Sequence, residues 1–169
     1  MTDYVDLPCR DDEGNLNFVV ESPRGSGVKW KYDPKRSAFV FQRALLLGVS
    51  YPYDWGFIAG TRAPDGDPVD AMLMFEFPSW PGVVVPSKPI GVVRMTQVEP
   101  GAGKERNDRL IILPVADLRY RDVKDLPERV KQELERFFVT TSEMTGKKVS
   151  IEGWAGSEAA EEIIERSRR

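Results

Sequence analysis

The sequence predicts an α+β fold that is mainly β, in which a small closed barrel is covered by helices. Short apolar segments separated by turn residues recur closely along the first two thirds of the chain, a spacing typical of closed barrels. In the last third the apolar residues recur at helical spacing instead. A length of 169 residues, 41% hydrophobic and 30% charged, suits one domain spanning residues 1–169.

The first three predicted strands precede an aromatic segment. Asn17–Glu21 forms the first strand, and Val28–Asp33 alternates cleanly, which places Lys29 and Lys31 on one face. That face is either the solvated side of an amphipathic strand or a cationic lining for an anion site. Ser37–Phe41 is a third short strand.

The middle of the chain supplies the remaining barrel strands. We expect the aromatic segment Tyr51–Ile58, which is rich in structure breakers, to form a plug in the core. Further strands are predicted at Ala71–Phe77, Val83–Val85, Ile90–Val98 and Arg109–Val115, with a loop at 99–108.

Two helices and one strand are predicted in the C-terminal third. The first helix has an apolar stripe that ends in Phe137 and Phe138, and the preceding Asp125–Glu128 offers an N-cap with a capping-box glutamate. Lys148–Trp154 reads as a last strand, and Ser157 begins the terminal helix.

Composition excludes several functions. Histidine is absent, so neither a histidine-activated nucleophile nor a histidine-ligated metal can operate. The net charge of −3 gives no support for nucleic-acid binding. A single cysteine cannot form an internal disulfide and favours a reducing compartment. The chain shows neither a signal sequence nor an apolar run of membrane-spanning length, so we expect a cytoplasmic protein with no membrane partner.

The segment most suggestive of chemistry is Pro64–Asp70, which holds the carboxylates of Asp65, Asp67 and Asp70 within six residues. Such a cluster repels itself at neutral pH, so it calls for divalent cations, a shared proton or wide solvation. A plain surface turn is one alternative. A calcium loop of the EF-hand type is another alternative. Its fifth position, which supplies a ligand, would be Val69, and its sixth, which needs glycine, would be Asp70, so the pattern does not fit. A phosphatase with a nucleophilic aspartate needs an apolar strand just before it, and residues 60–64 read as loop.

The chain contains an ordered set of motifs from about Val19 to the terminal helix. They are Glu21, Lys29, Arg43, Tyr51-Pro52, Gly56-Phe57-Ile58, Asp65-Gly66-Asp67-Pro68-Val69-Asp70, Pro89-Ile90-Gly91, Phe137-Phe138 and Glu152-Gly153-Trp154. In this set the sequence resembles the soluble family I inorganic pyrophosphatases. The resemblance implies a five-stranded barrel similar to an OB-fold with helices packed on it, and a homo-oligomer, because bacterial members of similar length are usually hexamers.

The resemblance implies roles for the acidic residues. Asp65 and Asp70 would ligate Mg²⁺, with Mn²⁺ as the alternative metal, and Glu21 would help to hold a further ion. Asp67 would accept a proton from the metal-bound water that attacks phosphorus.

The substrate oxygens would be held by Lys29, Arg43 and Tyr51, which are also the remaining catalytic candidates. Arg109 and Lys31 are further substrate-binding candidates.

Several positions depart from the family pattern. Lys31 replaces an acid, and Gln97 replaces a metal-binding carboxylate. Aligned on the strand that follows, the family's ligand aspartate falls on Asn107, although a slip of one residue restores Asp108, and its catalytic lysine falls on Arg109. The family's phosphate-binding Tyr-Lys pair is replaced at 141–142 by Thr-Ser, and an acid is also lost at position 42.

Three functions remain open at this stage. The leading one is Mg²⁺-dependent hydrolysis of inorganic pyrophosphate with weakened activity, because ligands are missing. The second is a divergent paralogue that binds a phosphorylated ligand or a partner without turnover. The third is hydrolysis of an organic phosphate ester, for which the small residues at 141–142 would open room.

Overall fold

The structure, a computed structural model, describes residues 3–169. The two helices are α1 (Glu128–Glu143) and α2 (Ser157–Ser167), and short 3-10 helices lie at Tyr4–Asp6 and Val123–Asp125. Neither α1 nor α2 is long and apolar enough to cross a membrane. The strands are β1 (Leu16–Ser22), β2 (Val28–Asp33), β3 (Ala38–Ala44), β4 (Asp54–Ile58), β5 (Val69–Leu73), β6 (Val84–Val98), β7 (Lys104–Arg106), β8 (Arg109–Pro114) and β9 (Lys148–Gly156).

Five strands close into a ring. β1 pairs with β4, β4 with β5, β5 with β8 and β8 with β6, and β6 returns to pair with β1. Every pairing in the ring is antiparallel except β5–β8. β7 and β9 extend the sheet from β6, and β2 and β3 form a separate two-stranded sheet. The predicted α+β fold, mainly β with a five-stranded closed barrel and helices packed on it, is confirmed.

The long strand β6 corrects the prediction of two strands at Val83–Val85 and Ile90–Val98. Pro86 lies opposite Asn17 at the pairing with β1, and Pro89 lies beside a shift in the register with β8. Proline lacks an N–H and is tolerated beside an irregularity such as that at Pro89, and the pairing with β1 keeps its register through Pro86, so the strand continues through both prolines.

β4 corrects the prediction that Tyr51–Ile58 is only a plug. Its residues Asp54–Ile58 are all buried between β1 and β5. Gly56 makes this possible, because a Cβ there would lie 1.9 Å from the carbonyl oxygen of Val19. The glycine that suggested a break therefore marks a close approach of two strands.

β5 is shorter than the predicted strand Ala71–Phe77. It begins at Val69 and its pairing ends at Leu73, after which Phe75 and Phe77 are exposed. The predicted loop at 99–108 contains β7, which folds back on β6 as a hairpin.

The helices cover the barrel on two sides. Leu134 and Phe138 of α1 join one apolar cluster, and Ala160 and Ile164 of α2 join another. Alternate residues of β8 belong to the two clusters, so this strand is buried on both faces.

The predicted helix cap of α1 is wrong. α1 begins at Glu128 without a side-chain cap, because Pro127 occupies the N-cap position. The Asp125 carboxylate instead accepts hydrogen bonds from the N–H groups of Arg121 and Asp122, and so caps the short 3-10 helix before α1.

Candidate functional site

The β2–β3 hairpin brings two cations together through a bulge. Lys29 pairs with Arg43, whereas Trp30 pairs with Phe41, so Gln42 is an extra residue in β3. In a regular strand the side chains at 41 and 43 would share a face. The extra residue places Arg43 on the face of Lys29, because paired residues point to the same side of a sheet.

These two cations line a cavity with groups from the barrel and from α1. Arg109 at the start of β8 and the buried Tyr51 contribute polar atoms to it. The remaining walls are Trp55, Met95, Gln97, Phe137, Phe138, Thr141 and Ser142.

Arg43 is oriented by the backbone of α1. Its Nη2 donates to the carbonyl oxygen of Thr141 at 3.0 Å. Its Nη1 is buried and has no hydrogen-bond partner within residues 3–169. A buried guanidinium nitrogen with a free donor suits an anionic ligand in the cavity.

Burial also shifts the pKa values of Lys29 and Tyr51. It lowers the pKa of Lys29, and the charges of Arg109 and Arg43 lower it further while Asp70 opposes them. Burial raises the pKa of Tyr51 to about 12, so the phenol keeps its proton and can donate at neutral pH.

The acid loop, residues 64–70, follows β4 and includes the first two residues of β5. It turns at Gly66. Gly66 adopts a positive φ of 91°, and the N–H of Asp67 donates to Asp65 Oδ1 at 3.1 Å. Asp65 and Asp67 are exposed, whereas Asp70 is half-buried near the start of β5.

Two basic side chains contact this loop from different sheets. Lys31 Nζ lies 2.6 Å from Asp67 Oδ2, and Arg109 Nη1 lies 2.7 Å from Asp70 Oδ2. The Arg109 guanidinium also stacks over the Trp55 ring at 5.3 Å. The predicted residues Lys31, Asp67, Asp70 and Arg109 are therefore brought together as two ion pairs.

Glu21 of β1 is the buried acid of the site. One of its oxygens accepts from the N–H of Tyr32 at 2.7 Å, and its exposed fraction is 5%. Burial raises its pKa to about 7, and the nearby charge of Asp70 contributes in the same direction.

A second pocket lies on the other side of Arg109. Asp65 and Asp70 line it together with the predicted ligand candidates Asn107 and Asp108. The carboxylate and amide oxygens of these residues are the hard donors that Mg²⁺ and Mn²⁺ prefer, so the donor set fits such an ion. Across residues 3–169, however, no three carboxylates stand close enough to form a ready metal cluster.

Asn107 and Asp108 have different surroundings. Asn107 accepts from Arg109 and donates to Gln97 Oε1 at 2.8 Å. Asp108 accepts from the N–H of Met95 at 3.1 Å and from Arg106 Nε at 2.8 Å.

Sequence reasoning missed some of the lining. Arg106 lies in the segment predicted as a loop but lines the second pocket, and the pairing of β7 with β6 that places it has no strong sequence signal. Phe137 belongs to the predicted apolar stripe of the first helix, and its ring also packs 5.2 Å from Tyr51 and lines the first cavity. Glu99, just after β6, pairs with Lys147.

Comparisons with known proteins agree on one family. The family model described as inorganic pyrophosphatase matches residues 18–169. An inorganic pyrophosphatase of Thermus thermophilus is 37% identical over 171 residues, covering 97% of this chain and 95% of that protein. One of Synechocystis is 34% identical over 166 residues, covering 96% and 95%.

Solved structures give the same result. The crystal structure of inorganic pyrophosphatase from Thermus thermophilus aligns with a TM-score of 0.89 and 35% identity, covering 98% of this chain and 97% of that one. That of an inorganic pyrophosphatase from Neisseria gonorrhoeae aligns with a TM-score of 0.84 and 30% identity, covering 95% and 94%. A match that spans the barrel, both helices and the acid loop leaves one assignment: the chain belongs to family I of the inorganic pyrophosphatases.

Proposed function

We propose that the protein hydrolyses inorganic pyrophosphate to two phosphates in a reaction that depends on Mg²⁺, with Mn²⁺ as an alternative. The observation that carries this proposal is the cavity shared by Lys29, Arg43, Tyr51 and Arg109, which adjoins the acid loop through the Arg109–Asp70 ion pair. The cavity offers several donors to phosphate oxygens, and the loop offers oxygen ligands to a cation. The names of the relatives support the same substrate.

The basic residues bind and orient the substrate. Lys29 and Arg43, whose Nη1 has no hydrogen-bond partner within residues 3–169, line the same cavity, and Tyr51 adds a neutral donor. Because α1 holds the guanidinium of Arg43 through Thr141, the position of one phosphate group is fixed before binding. Arg109 can donate to a phosphate when it leaves Asp70.

The acidic residues supply the metal ligands and the proton acceptor. Asp65 and Asp70, with Glu21 and either Asn107 or Asp108, would hold the divalent ions. Bound ions would lower the pKa of the attacking water and offset charge on the phosphoryl oxygens. Asp67, exposed in the loop, would accept a proton from the attacking water.

We expect the activity to be weaker than is usual for the family. Gln97 and Asn107 carry amides where carboxylates would bind metal, and Lys31 carries a positive charge beside Asp67. With fewer carboxylates, the site should bind a third and a fourth metal ion only weakly. We also propose a single domain, a cytoplasmic location and a homo-oligomer, with a hexamer as the expected size and no nucleic-acid or membrane partner.

The test is phosphate release from pyrophosphate at high Mg²⁺ or Mn²⁺. We expect Asp67→Asn to lower kcat by about 100-fold or more, because a positioned proton acceptor contributes about that much. Asp12→Asn, in the exposed loop before β1, is the matched control and should behave as wild type. Equal rates for wild type and Asp67→Asn would refute the proposal.

A further inference from the structure

Two of the three carboxylates of the acid loop already pair with a positive charge. Arg109, which pairs with Asp70, comes from β8 in the ring, and Lys31, which pairs with Asp67, comes from β2 in the separate hairpin. The Lys31 side chain is 40% exposed and the Asp67 side chain 56%. The ammonium on its flexible stem can therefore leave Asp67 without unfolding the strand.

Lys31 contacts the acid loop from the strand that also supplies Lys29 to the substrate cavity. It is two residues from Lys29 along β2, about 7 Å in an extended strand, and the two side chains share a face. Lys29 lines the cavity, and Lys31 contacts the loop beside it. An anion in the cavity that extends toward the loop comes within reach of the Lys31 ammonium.

Bases outnumber acids among the charged side chains of the site. Gln97 and Asn107 hydrogen-bond to each other and add no charge. The two pockets, together with Lys31, Asp67 and Glu21, hold six bases and five acids, namely Lys29, Lys31, Arg43, Arg106, Arg109, Arg166, Glu21, Asp65, Asp67, Asp70 and Asp108. Lys31 offsets the charge of Asp67, which a divalent cation would otherwise offset.

We propose that Lys31 is a tethered cation of the substrate site, which takes the place of one divalent ion when pyrophosphate binds. This inference rests on the proposed function for its ligand. In the free protein Lys31 neutralises Asp67 and weakens the affinity of the loop for divalent cations. In the complex its charge passes to a phosphate oxygen, so pyrophosphate binds with fewer divalent ions.

The test is calorimetric titration of the full chain with Mn²⁺ alone, and with pyrophosphate alone after treatment with a chelator. We expect Lys31→Glu to bind Mn²⁺ about tenfold more tightly, or to bind an additional ion, because the change removes a repulsive charge and adds a ligand. Metal-free pyrophosphate should bind to it about tenfold more weakly. Lys35→Glu, in the exposed turn of the same hairpin, is the matched charge control and should change neither titration.

Two further variants separate charge from structure. Lys31→Arg keeps the positive charge and should retain both wild-type affinities. Lys31→Met removes the charge without adding an acid, so it should shift both affinities in the same directions as Lys31→Glu but by less. It also provides the test if Lys31→Glu does not fold. Unchanged titrations for Lys31→Met and Lys31→Glu, or equal effects from Lys35→Glu, would overturn the inference.

The titrations do not require turnover, so the two proposals can fail separately. Shifted affinities without phosphate release from the wild type would refute only the proposed hydrolysis. Normal phosphate release with unshifted affinities would refute only the role of Lys31.

Discussion

Gly56 occupies the point in β4 where the backbone of β1 passes closest. A Cβ at this position would lie 1.9 Å from the carbonyl oxygen of Val19 and 3.1 Å from the N–H nitrogen of Glu21. Both are backbone atoms of a paired strand and cannot rotate away. We expect Gly56→Ala to lower the free energy of unfolding by about 3 kcal/mol, because it overpacks a buried site. Urea unfolding followed by circular dichroism measures this loss.

Gly103 is the matched control for this prediction. A Cβ there would meet nothing within 4 Å, and its φ is not positive. Gly103→Ala should therefore stay within about 0.5 kcal/mol of wild type. A Gly56→Ala protein as stable as Gly103→Ala would show that β1 and β4 can move apart at little cost.

Individual residues also show how far the site could be predicted. Alternation along β2 was enough to place Lys29 and Lys31 on one face, and turn chemistry was enough to predict a loop at 64–68, although Val69 and Asp70 already belong to β5. The bulge at Gln42 that re-aims Arg43 could not be predicted, because no glycine or other bulge signal marks it. The Thr141 carbonyl that accepts from Arg43 is a backbone group 98 residues away, so no residue type in the sequence indicates this contact.

Asp122 ties two elements together at the start of α2. Its Oδ1 accepts from the N–H of Lys124 at 3.0 Å, and its Oδ2 accepts from the N–H of Ser157 at 2.9 Å. Asparagine has one acceptor oxygen and would turn an NH₂ group toward one of these donors. We expect Asp122→Asn to lower the free energy of unfolding by about 1–2 kcal/mol, with thermal or urea unfolding at pH 7 as the measurement.

The pH dependence of this loss has a definite sign. Burial raises the pKa of Asp122, but the hydrogen bonds from Ser157 and Lys124 outweigh it and hold the pKa below its usual value of 3.8. A carboxylate with a lowered folded-state pKa stabilises the protein above its unfolded pKa and loses that effect as pH falls through the folded pKa. The gap between wild type and Asp122→Asn should therefore be constant at neutral pH and shrink below pH 3.8. A gap that widens in acid would contradict the assignment.

At the level of elements, apolar pattern predicted most strands but not where they merge or end. β2 has the predicted bounds, since its alternation is clean and a turn follows it. β6 was divided at Pro86 and Pro89, because proline usually interrupts a strand and only tertiary pairing shows that these two positions tolerate it. The predicted cap at Asp125 is wrong for a local reason. Its carboxylate accepts hydrogen bonds at the start of the 3-10 helix Val123–Asp125 and does not cap α1.

At the scale of the whole molecule, the candidate site spans two sheets of different size. The acid loop and Arg109 belong to the closed ring, whereas Lys29, Lys31 and Arg43 belong to the two-stranded hairpin. The barrel class followed from strand spacing, but the ring closure did not, because the β1–β6 and β5–β8 pairings join segments distant in sequence. In the proposed function, pyrophosphate would therefore contact both the hairpin and the barrel.

This division predicts how the molecule opens. Within residues 3–169 the two-stranded hairpin pairs with no third strand and has few buried side chains, whereas the ring has no open edge among its five strands. We expect amides of β2 and β3 to exchange with deuterium about tenfold faster, or more, than those of β4, β5 and β8, because local opening costs less free energy there. Hydrogen exchange followed by mass spectrometry measures this difference. If pyrophosphate binds as proposed to Lys29, Arg43 and Arg109, it should slow exchange in the hairpin more than in the ring. Equal protection of both sheets in the free protein, or equal slowing by pyrophosphate, would show that hairpin and barrel open as one unit.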